Sequence, residues 1–346
     1  STDYVLVPLT RLLKPEQVEY IINDCGIRCI ITDRIKLQSI EEIEFDGKII
    51  SFESVGKDID SFDEIYKYYN KPYSCDISGH NNAVITYSFG LTGTPKGIVI
   101  SHRNLIDSAR VVSQYLSLEE SDVISGILLF NLDYGLNKIF CALYKKATLA
   151  LHRFILPEDF FNHLIDDEVS ILALMPVNIS QMFDDPAQRV PSSELFEKLR
   201  IITSSGGNVT ERMINDCEKT FPQAKFYSMH GLTEAFRSTY LDPAQVKIRP
   251  DSIGKPIPDV ELYVINEQGK ECAPREVGEL IHRGGYIYRG FWNGPEENAQ
   301  RFKSIEILKD VIDLEGQLTD EIVVASGDYV YKDEEGYFYF VSRHDD

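Results

Sequence analysis

The chain has 346 residues, 43% of them apolar, and 55 acidic against 35 basic side chains give a formal net charge of −20. Such acidity argues against nucleic acid as a principal partner, because a phosphate backbone needs a basic face, and the length exceeds what one core usually organises, so packed subdomains are expected. No apolar run of about 18 residues and no charged-then-apolar leader is present, so no membrane span is expected and the default location is cytoplasmic.

A proline at a first-turn position opens a helical pattern over 15–24, with Val18, Ile21 and Ile22 on one face, and strand-like runs follow at 28–32 and 48–51. An acidic, tyrosine-rich stretch over 53–80 reads as a surface excursion. Apolar runs at 83–86 and 98–100 bracket a glycine- and hydroxyl-rich loop, followed by an amphipathic helix over 103–116 and a buried strand over 123–129. Helix and strand then alternate: helix 135–145 with strand 148–151, helix 157–166 with strand 170–174, and helix 210–220 with strand 225–229. This rhythm predicts an α/β fold with two helix-flanked, mainly parallel sheets in αβαβα layers. Beyond Leu241 short runs at 261–265, 278–282, 322–325 and 337–341 alternate with Gly, Pro and Asp turns, which suggests a small β-barrel or sandwich. The subdomains expected are therefore 1–122, 123–243 and 244–342. Cys25, Cys29, Cys75, Cys141, Cys217 and Cys272 are scattered without C-x-x-C spacing and read as reduced thiols.

The most informative stretch is Tyr87-Ser88-Phe89-Gly90-Leu91-Thr92-Gly93-Thr94-Pro95-Lys96-Gly97. It lies between two strands, so it is neither a Walker loop, which needs G-x-x-x-x-G-K-[ST] before a helix, nor a dinucleotide fingerprint. Glycines there let backbone N–H groups approach phosphate oxygens, hydroxyls donate, and Lys96 adds a point charge.

This stretch resembles the phosphate loop of the adenylate-forming (AMP-binding) superfamily, and further signatures follow in the family's order. Ser205-Gly206-Gly207-Asn208 resembles the adenine-contacting turn, and His230-Gly231-Leu232-Thr233-Glu234 the Y-G-x-T-E motif. Gly278-Glu279-Leu280 with Gly290-Phe291-Trp292 resembles the next block, Ser326-Gly327-Asp328 the T-G-D motif, and Ser342-Arg343-His344-Asp345 the G-R-x-D hinge. A finer resemblance, in Leu12-Leu13-Lys14-Pro15-Glu16 and Gly231 to Pro243, is to the acyl-CoA ligase group associated with exosortase systems.

The resemblance implies two α/β subdomains with a distorted β-barrel, the active site on top, and a hinge at 343–346 that includes Asp345. It also implies that roughly the last hundred residues of a typical member, a small mobile domain, lie beyond this chain, and that the first subdomain is clipped at its start. Ser88, Thr92, Thr94 and the backbone at Gly90 and Gly93 would hold the β- and γ-phosphates with Lys96; Gly206, Gly207, Asn208, His230 and Gly231 would receive adenine. Thr233 would donate to the α-phosphate, Glu234 would ligate magnesium, Asp328 would accept from the ribose hydroxyls, and Arg343 would reach ribose or phosphate. Asn131, Asp133 and Ser205 fall at the acyl pocket, where Asp133 would mark an amino acid or simply charge a helix N-terminus.

Taken singly, Thr233-Glu234 reads as a cap or surface pair and Ser326-Gly327-Asp328 as a turn; their ordered company favours the site reading. Three departures stand out. Phe89 and Leu91 occupy small polar positions of the loop, and a hydroxyl on a charged phosphate is worth about 1.5–3 kcal/mol, so Leu91 implies roughly ten- to a hundredfold weaker action. His230 replaces the tyrosine that stacks on adenine, and Ser342 replaces a glycine. The function expected is ATP- and Mg2+-dependent activation of a small carboxylic acid as acyl-adenylate, then thioester formation with CoA. A ligase delivering amino or acyl groups to carrier-protein phosphopantetheine is the alternative, and a nucleotide-binding module that has lost catalysis is the rival from another class.

Overall fold

A computed structural model describes residues 4–40, 42–54, 59–68, 76–89, 95–185, 187–316 and 320–344. The first helix, α1 (Pro15–Cys25), starts on its proline and stops at Gly26, whose φ of 57° ends it in the left-handed region. Strand β1 (Cys29–Thr32), helix α2 (Arg34–Ile40), strands β2 (Lys48–Ser51) and β3 (Asp60–Ser61) and helix α3 (Phe62–Tyr68) follow, and β1, β2 and β3 pair in parallel. Strands β4 (Asn82–Phe89) and β5 (Pro95–Ser101) form an antiparallel pair in which Ser88 lies opposite Lys96 and Phe89 opposite Pro95. The glycine-rich stretch therefore does join two strands, both longer than their apolar runs. Helix α1 packs Val18, Ile21 and Ile22 against Ile85, Tyr87 and Val99 of this pair.

Helix α4 (His102–Tyr115) begins where Ser101 Oγ accepts from the Asn104 N–H at 3.1 Å. It leads into β6 (Val123–Gly126), α5 (Asp133–Lys145), β7 (Thr148–Leu151), α6 (Pro157–Asp166), β8 (Ile171–Leu174), α7 (Pro176–Phe183), β9 (Ile201–Ser204), α8 (Glu211–Thr220) and β10 (Lys225–His230). Strands β7, β6, β8, β9 and β10 are parallel neighbours in that order. Strands β8 and β9 are buried along their whole length, as expected of a sheet covered on both faces. One face packs on α4 and α5 through Leu105, Val112, Leu136 and Cys141; the other packs on α6, α7 and α8 through Phe160, Ile179 and Ile214. The register sets Leu174 beside Ser204 and Ser204 beside Ser228, so the carboxyl ends of β8, β9 and β10 emerge on one edge. Ligands of open α/β sheets bind at that edge.

The β-rich remainder comprises β11 (Thr239–Leu241), β12 (Ser252–Pro256), β13 (Val260–Ile265), β14 (Gly278–Gly284), helix α9 (Pro295–Arg301), β15 (Phe302–Ser304), β16 (Ile322–Lys332) and β17 (Phe338–Arg343). A separate barrel was one expectation for it, but among the described residues these strands form an antiparallel continuation of the parallel sheet. Strand β11 pairs with β10 on one side and β12 on the other, and the path runs on through β17, β16 and β14 to β13 without closing. Trp292 packs partly buried against the α1 core, and its indole N–H donates to the Asp24 carbonyl at 3.0 Å, tying this remainder to α1. Cys25, Cys29, Cys141, Cys217 and Cys272 are free thiols. No described helix is long and apolar enough to cross a membrane.

Candidate functional site

Three turns leave the shared edge. After β8 comes Met175-Pro176; after β9 come Ser205, Gly206, Gly207 and Asn208; after β10 come Gly231, Leu232, Thr233 and Glu234. Gly206 takes a φ of 85° and, like Gly207 and Asn208, is exposed. Gly231 is enforced by packing, since a Cβ there would lie 2.2 Å from the Phe236 carbonyl oxygen. Its turn leaves Thr233 exposed and Glu234 buried.

Asp328 forms the centre of the site. It sits mid-strand in β16 opposite Arg343 of β17, is 1% exposed, and its Oδ2 accepts from His230 Nε2 at 3.1 Å. Arg343 Nε lies 3.5 Å from Asp328 Oδ1, an ion pair that leaves Oδ1 without a hydrogen bond. The preceding Gly327 has a φ of 70°, and a Cβ there would lie 1.9 Å from an Arg301 guanidinium nitrogen. That missing side chain lets Arg301 reach toward Glu234, with Nε 3.9 Å from Oε1. Burial pushes the Glu234 carboxyl above its usual range; Arg301 and Arg343 oppose this and Asp328 adds to it. Behind the cluster His282 is fully buried, its Nδ1 3.1 Å from Ser238 Oγ, and desolvation with His230 nearby lowers its pKa to about 3, so it stays neutral.

His230, Thr233, Glu234, Asp328 and Arg343 are thus gathered at the sheet edge with the Gly206-Gly207 turn. Lys96 is engaged elsewhere: its Nζ lies 3.0 Å from Glu297 Oε1 at the start of α9. Among the described residues no hydrogen bond or ion pair links Ser88 or Lys96 to the Asp328 group. Gly90, Leu91, Thr92, Gly93, Thr94 and Asp345 lie outside the described residues.

Of the residues expected at an acyl pocket, Asn131 is buried and Asp133 is the first residue of α5, its carboxylate accepting from the Tyr134 N–H at 2.7 Å. Burial pushes the Asp133 carboxyl up, and Arg237 opposes it. The sequence reading passed over Arg237 and Lys138, each only 2% exposed. Arg237 Nη1 donates to Ser205 Oγ at 2.6 Å, and its guanidinium carbon lies 4.9 Å from the centre of the Tyr134 ring. The Lys138 ammonium is 5.0 Å from that same ring centre. Their signal in the sequence is a basic residue inside a buried pattern: Lys138 one turn after Tyr134 on the inner face of α5, Arg237 within Ala235-Phe236-Arg237-Ser238-Thr239.

The donor set fits a nucleotide with magnesium. Asp328 Oδ1, buried and without a hydrogen bond, is suited to accept from a hydroxyl. Among the described residues no group of three or more His, Cys, Asp or Glu could hold a metal by itself. A lone carboxylate such as Glu234 suits a cation that takes its other ligands from phosphate and water.

An open α/β sheet whose strand ends present a double-glycine turn and buried carboxylates defines a nucleotide-binding enzyme scaffold. The sequence model of the AMP-binding enzyme family matches residues 1–292, and the chain belongs to that family, within the adenylate-forming superfamily. It is 23% identical over 302 residues to tyrocidine synthase 1 of Brevibacillus parabrevis, covering 86% of this chain and 26% of that protein. It is 26% identical over 329 residues to 2-succinylbenzoate–CoA ligase of Geobacillus kaustophilus, covering 94% of this chain and 59% of that one. A long-chain-fatty-acid–CoA ligase of Archaeoglobus fulgidus superposes with a TM-score of 0.84 at 20% identity, covering 97% of this chain and 67% of that one. The chain thus spans less than two thirds of the length of either curated relative.

Proposed function

We propose that the protein to which this chain belongs activates a carboxylic acid with ATP. A carboxylate oxygen attacks the α-phosphorus, the bond to the bridging oxygen of the leaving group breaks, and pyrophosphate departs, leaving an acyl-adenylate. A thiolate then attacks the acyl carbon, and AMP leaves with the oxygen the acid supplied. The observation that carries this reading is the buried Asp328, held by His230 and Arg343 beside Glu234 and the exposed Thr233.

In this reading Asp328 accepts from ribose hydroxyls and the Thr233 hydroxyl donates to the α-phosphate. Glu234 holds magnesium, which when bound neutralises charge on the leaving phosphates. Lys96 exchanges Glu297 for a phosphate, and the exchange is easy because both side chains are partly solvated and such pairs are weak. His230 presents an imidazole that Asp328 orients. Ser88, Thr92, Thr94 and the backbone at Gly90 and Gly93 hold the outer phosphates. CoA is the acceptor favoured by the relatives named as CoA ligases; a carrier-protein phosphopantetheine is the alternative thiol.

The test is acid-dependent exchange of labelled pyrophosphate into ATP by the full-length protein, across fatty, aryl and amino acids. Exchange with one class of acid supports adenylation. ATP binding without exchange, with a competent relative as control, favours the degenerate-module reading.

A further inference from the structure

We propose that the acyl pocket takes an acid bearing a second anionic group, and that Lys138 and Arg237, beside the Tyr134 ring, receive that group. The proposal names the substrate class of the adenylation site and so rests on the function proposed above.

Two cations are buried against one aromatic ring, and among the described residues neither forms an ion pair with a carboxylate. Lys138 and Arg237 are each 2% exposed and lie 5.0 Å and 4.9 Å from the centre of one aromatic ring. Among the described residues the Lys138 ammonium has neither a hydrogen-bond acceptor nor a carboxylate, and Arg237 has only Ser205 Oγ, its Nε being buried without a partner. A ring face compensates part of the lost hydration, but desolvated cations ordinarily need a hydrogen-bonded anion. The acidic group whose charge Arg237 feels, Asp133, accepts a hydrogen bond from its own helix N-terminus and forms no ion pair with either cation. A lone carboxylate would in any case leave one positive charge over.

Placement indicates where the missing anion comes from. Arg237 Nη1 lies 3.3 Å from where a Gly231 Cβ would be and donates to Ser205, so it stands between the two turns assigned to the nucleotide. Lys138 reaches the same Tyr134 ring from within α5. An acid whose reacting carboxylate meets the nucleotide at these turns would bring its other end to the cations. An ω-amino acid would carry an ammonium there and be repelled, and a simple fatty or aryl acid would leave both cations unpaired.

The test uses full-length protein, with succinate, glutarate and phthalate set against butyrate, pentanoate, benzoate and β-alanine. Two measurements are made: pyrophosphate exchange, and calorimetric binding in the presence of ATP. Charge-assisted hydrogen bonds predict a kcat/KM or affinity about ten- to a hundredfold higher for the diacid than for the monoacid of matched size. Lys138→Met, and Arg237→Gln as a second variant, should collapse that ratio, each variant being checked for a cooperative melt. Exchange with equal or better use of monoacids overturns the proposal and leaves adenylation standing. Absence of exchange with every acid tells against adenylation; binding then decides, since diacid-selective binding lost in Lys138→Met supports the anion site and its absence overturns it.

Discussion

Replacing Lys138 by methionine should make the ligand-free protein more stable, although it removes a charged side chain from the heart of the second sheet region. Burial lowers the Lys138 pKa from its ordinary 10.5 to about 8, with Cys141 opposing and Arg237 reinforcing the effect. At pH 7 the lysine is protonated in both the folded and the unfolded chain, so the folded state carries the whole cost. The gap between 10.5 and about 8 corresponds to roughly 3 kcal/mol. Methionine keeps the unbranched stem but forfeits the attraction of the ammonium for Tyr134, worth about 2 kcal/mol when desolvated. The expected net gain is therefore about 1 kcal/mol at pH 7, in keeping with the behaviour of other buried charges exchanged for apolar groups. Between pH 8 and 10.5 the folded chain sheds this proton before the unfolded chain does, so wild-type stability should rise across that window. The variant should lack that rise. Urea titrations of wild type and variant at pH 7 and pH 10 measure both effects. A variant less stable than wild type at pH 7, or one with the same pH dependence, would refute the reasoning, because it would mean that Lys138 has an anionic partner already.

Other consequences are independent of that site. Gly231→Ala places a methyl group 2.2 Å from the Phe236 carbonyl and should cost about 1–3 kcal/mol by overpacking, together with at least tenfold weaker ATP binding; unchanged titration calorimetry would contradict the packed turn. Glu297→Gln releases Lys96 from its ion pair and should lower the KM for ATP by no more than about fivefold, as for a partly exposed pair; an increase would mean that Glu297 itself assists the nucleotide. Asp122 is buried, which alone would raise its pKa, but Arg200, the Glu119 N–H and Ser170 hold it below the usual range. Its stabilisation is present at neutral pH and lost as pH falls through its folded value. Asp122→Ala should accordingly cost about 3 kcal/mol at pH 7 and progressively less below about pH 4; equal costs at both pH values in denaturant titrations would exclude the pair as the cause.

The regular part of the fold was legible because its local signals agree. Helix α6 begins at Pro157 with Glu158 and Asp159 in its first turn and ends at Asp166, and β7 spans Thr148–Leu151, both as the pattern predicts. Strand β9 was missed: Ile201–Ser204 is four residues long and follows a stretch with no period, and only pairing with β8 and β10 makes it a strand. Helices α2 and α7 are seven and eight residues long, too short for periodicity to stand out. Strand β16 was expected to stop at Ala325 because Ser326-Gly327-Asp328 reads as a turn. Instead Gly327 makes room for Arg301, and the strand continues to Lys332.

At the site, the motifs identified His230, Glu234, Asp328 and Arg343, and the sheet register brings them together. The His230–Asp328 contact joins β10 to β16 and no local pattern reveals it. Arg237 and Lys138 escaped notice because basic side chains are by default solvated. Lys96 is expected to meet phosphate, but its ion-pair partner Glu297 lies about two hundred residues further along the chain, and only the fold brings the two together.

The central claim, attack of an acid on the α-phosphorus of ATP, is tested most directly by isotope transfer. Full-length protein would be given a carboxylic acid labelled with 18O in its carboxyl group, ATP, magnesium and a thiol acceptor, and the products would be analysed by mass spectrometry. The account predicts one labelled oxygen in AMP and none in pyrophosphate. Label in inorganic phosphate with formation of ADP, or unlabelled AMP from simple hydrolysis, would contradict it.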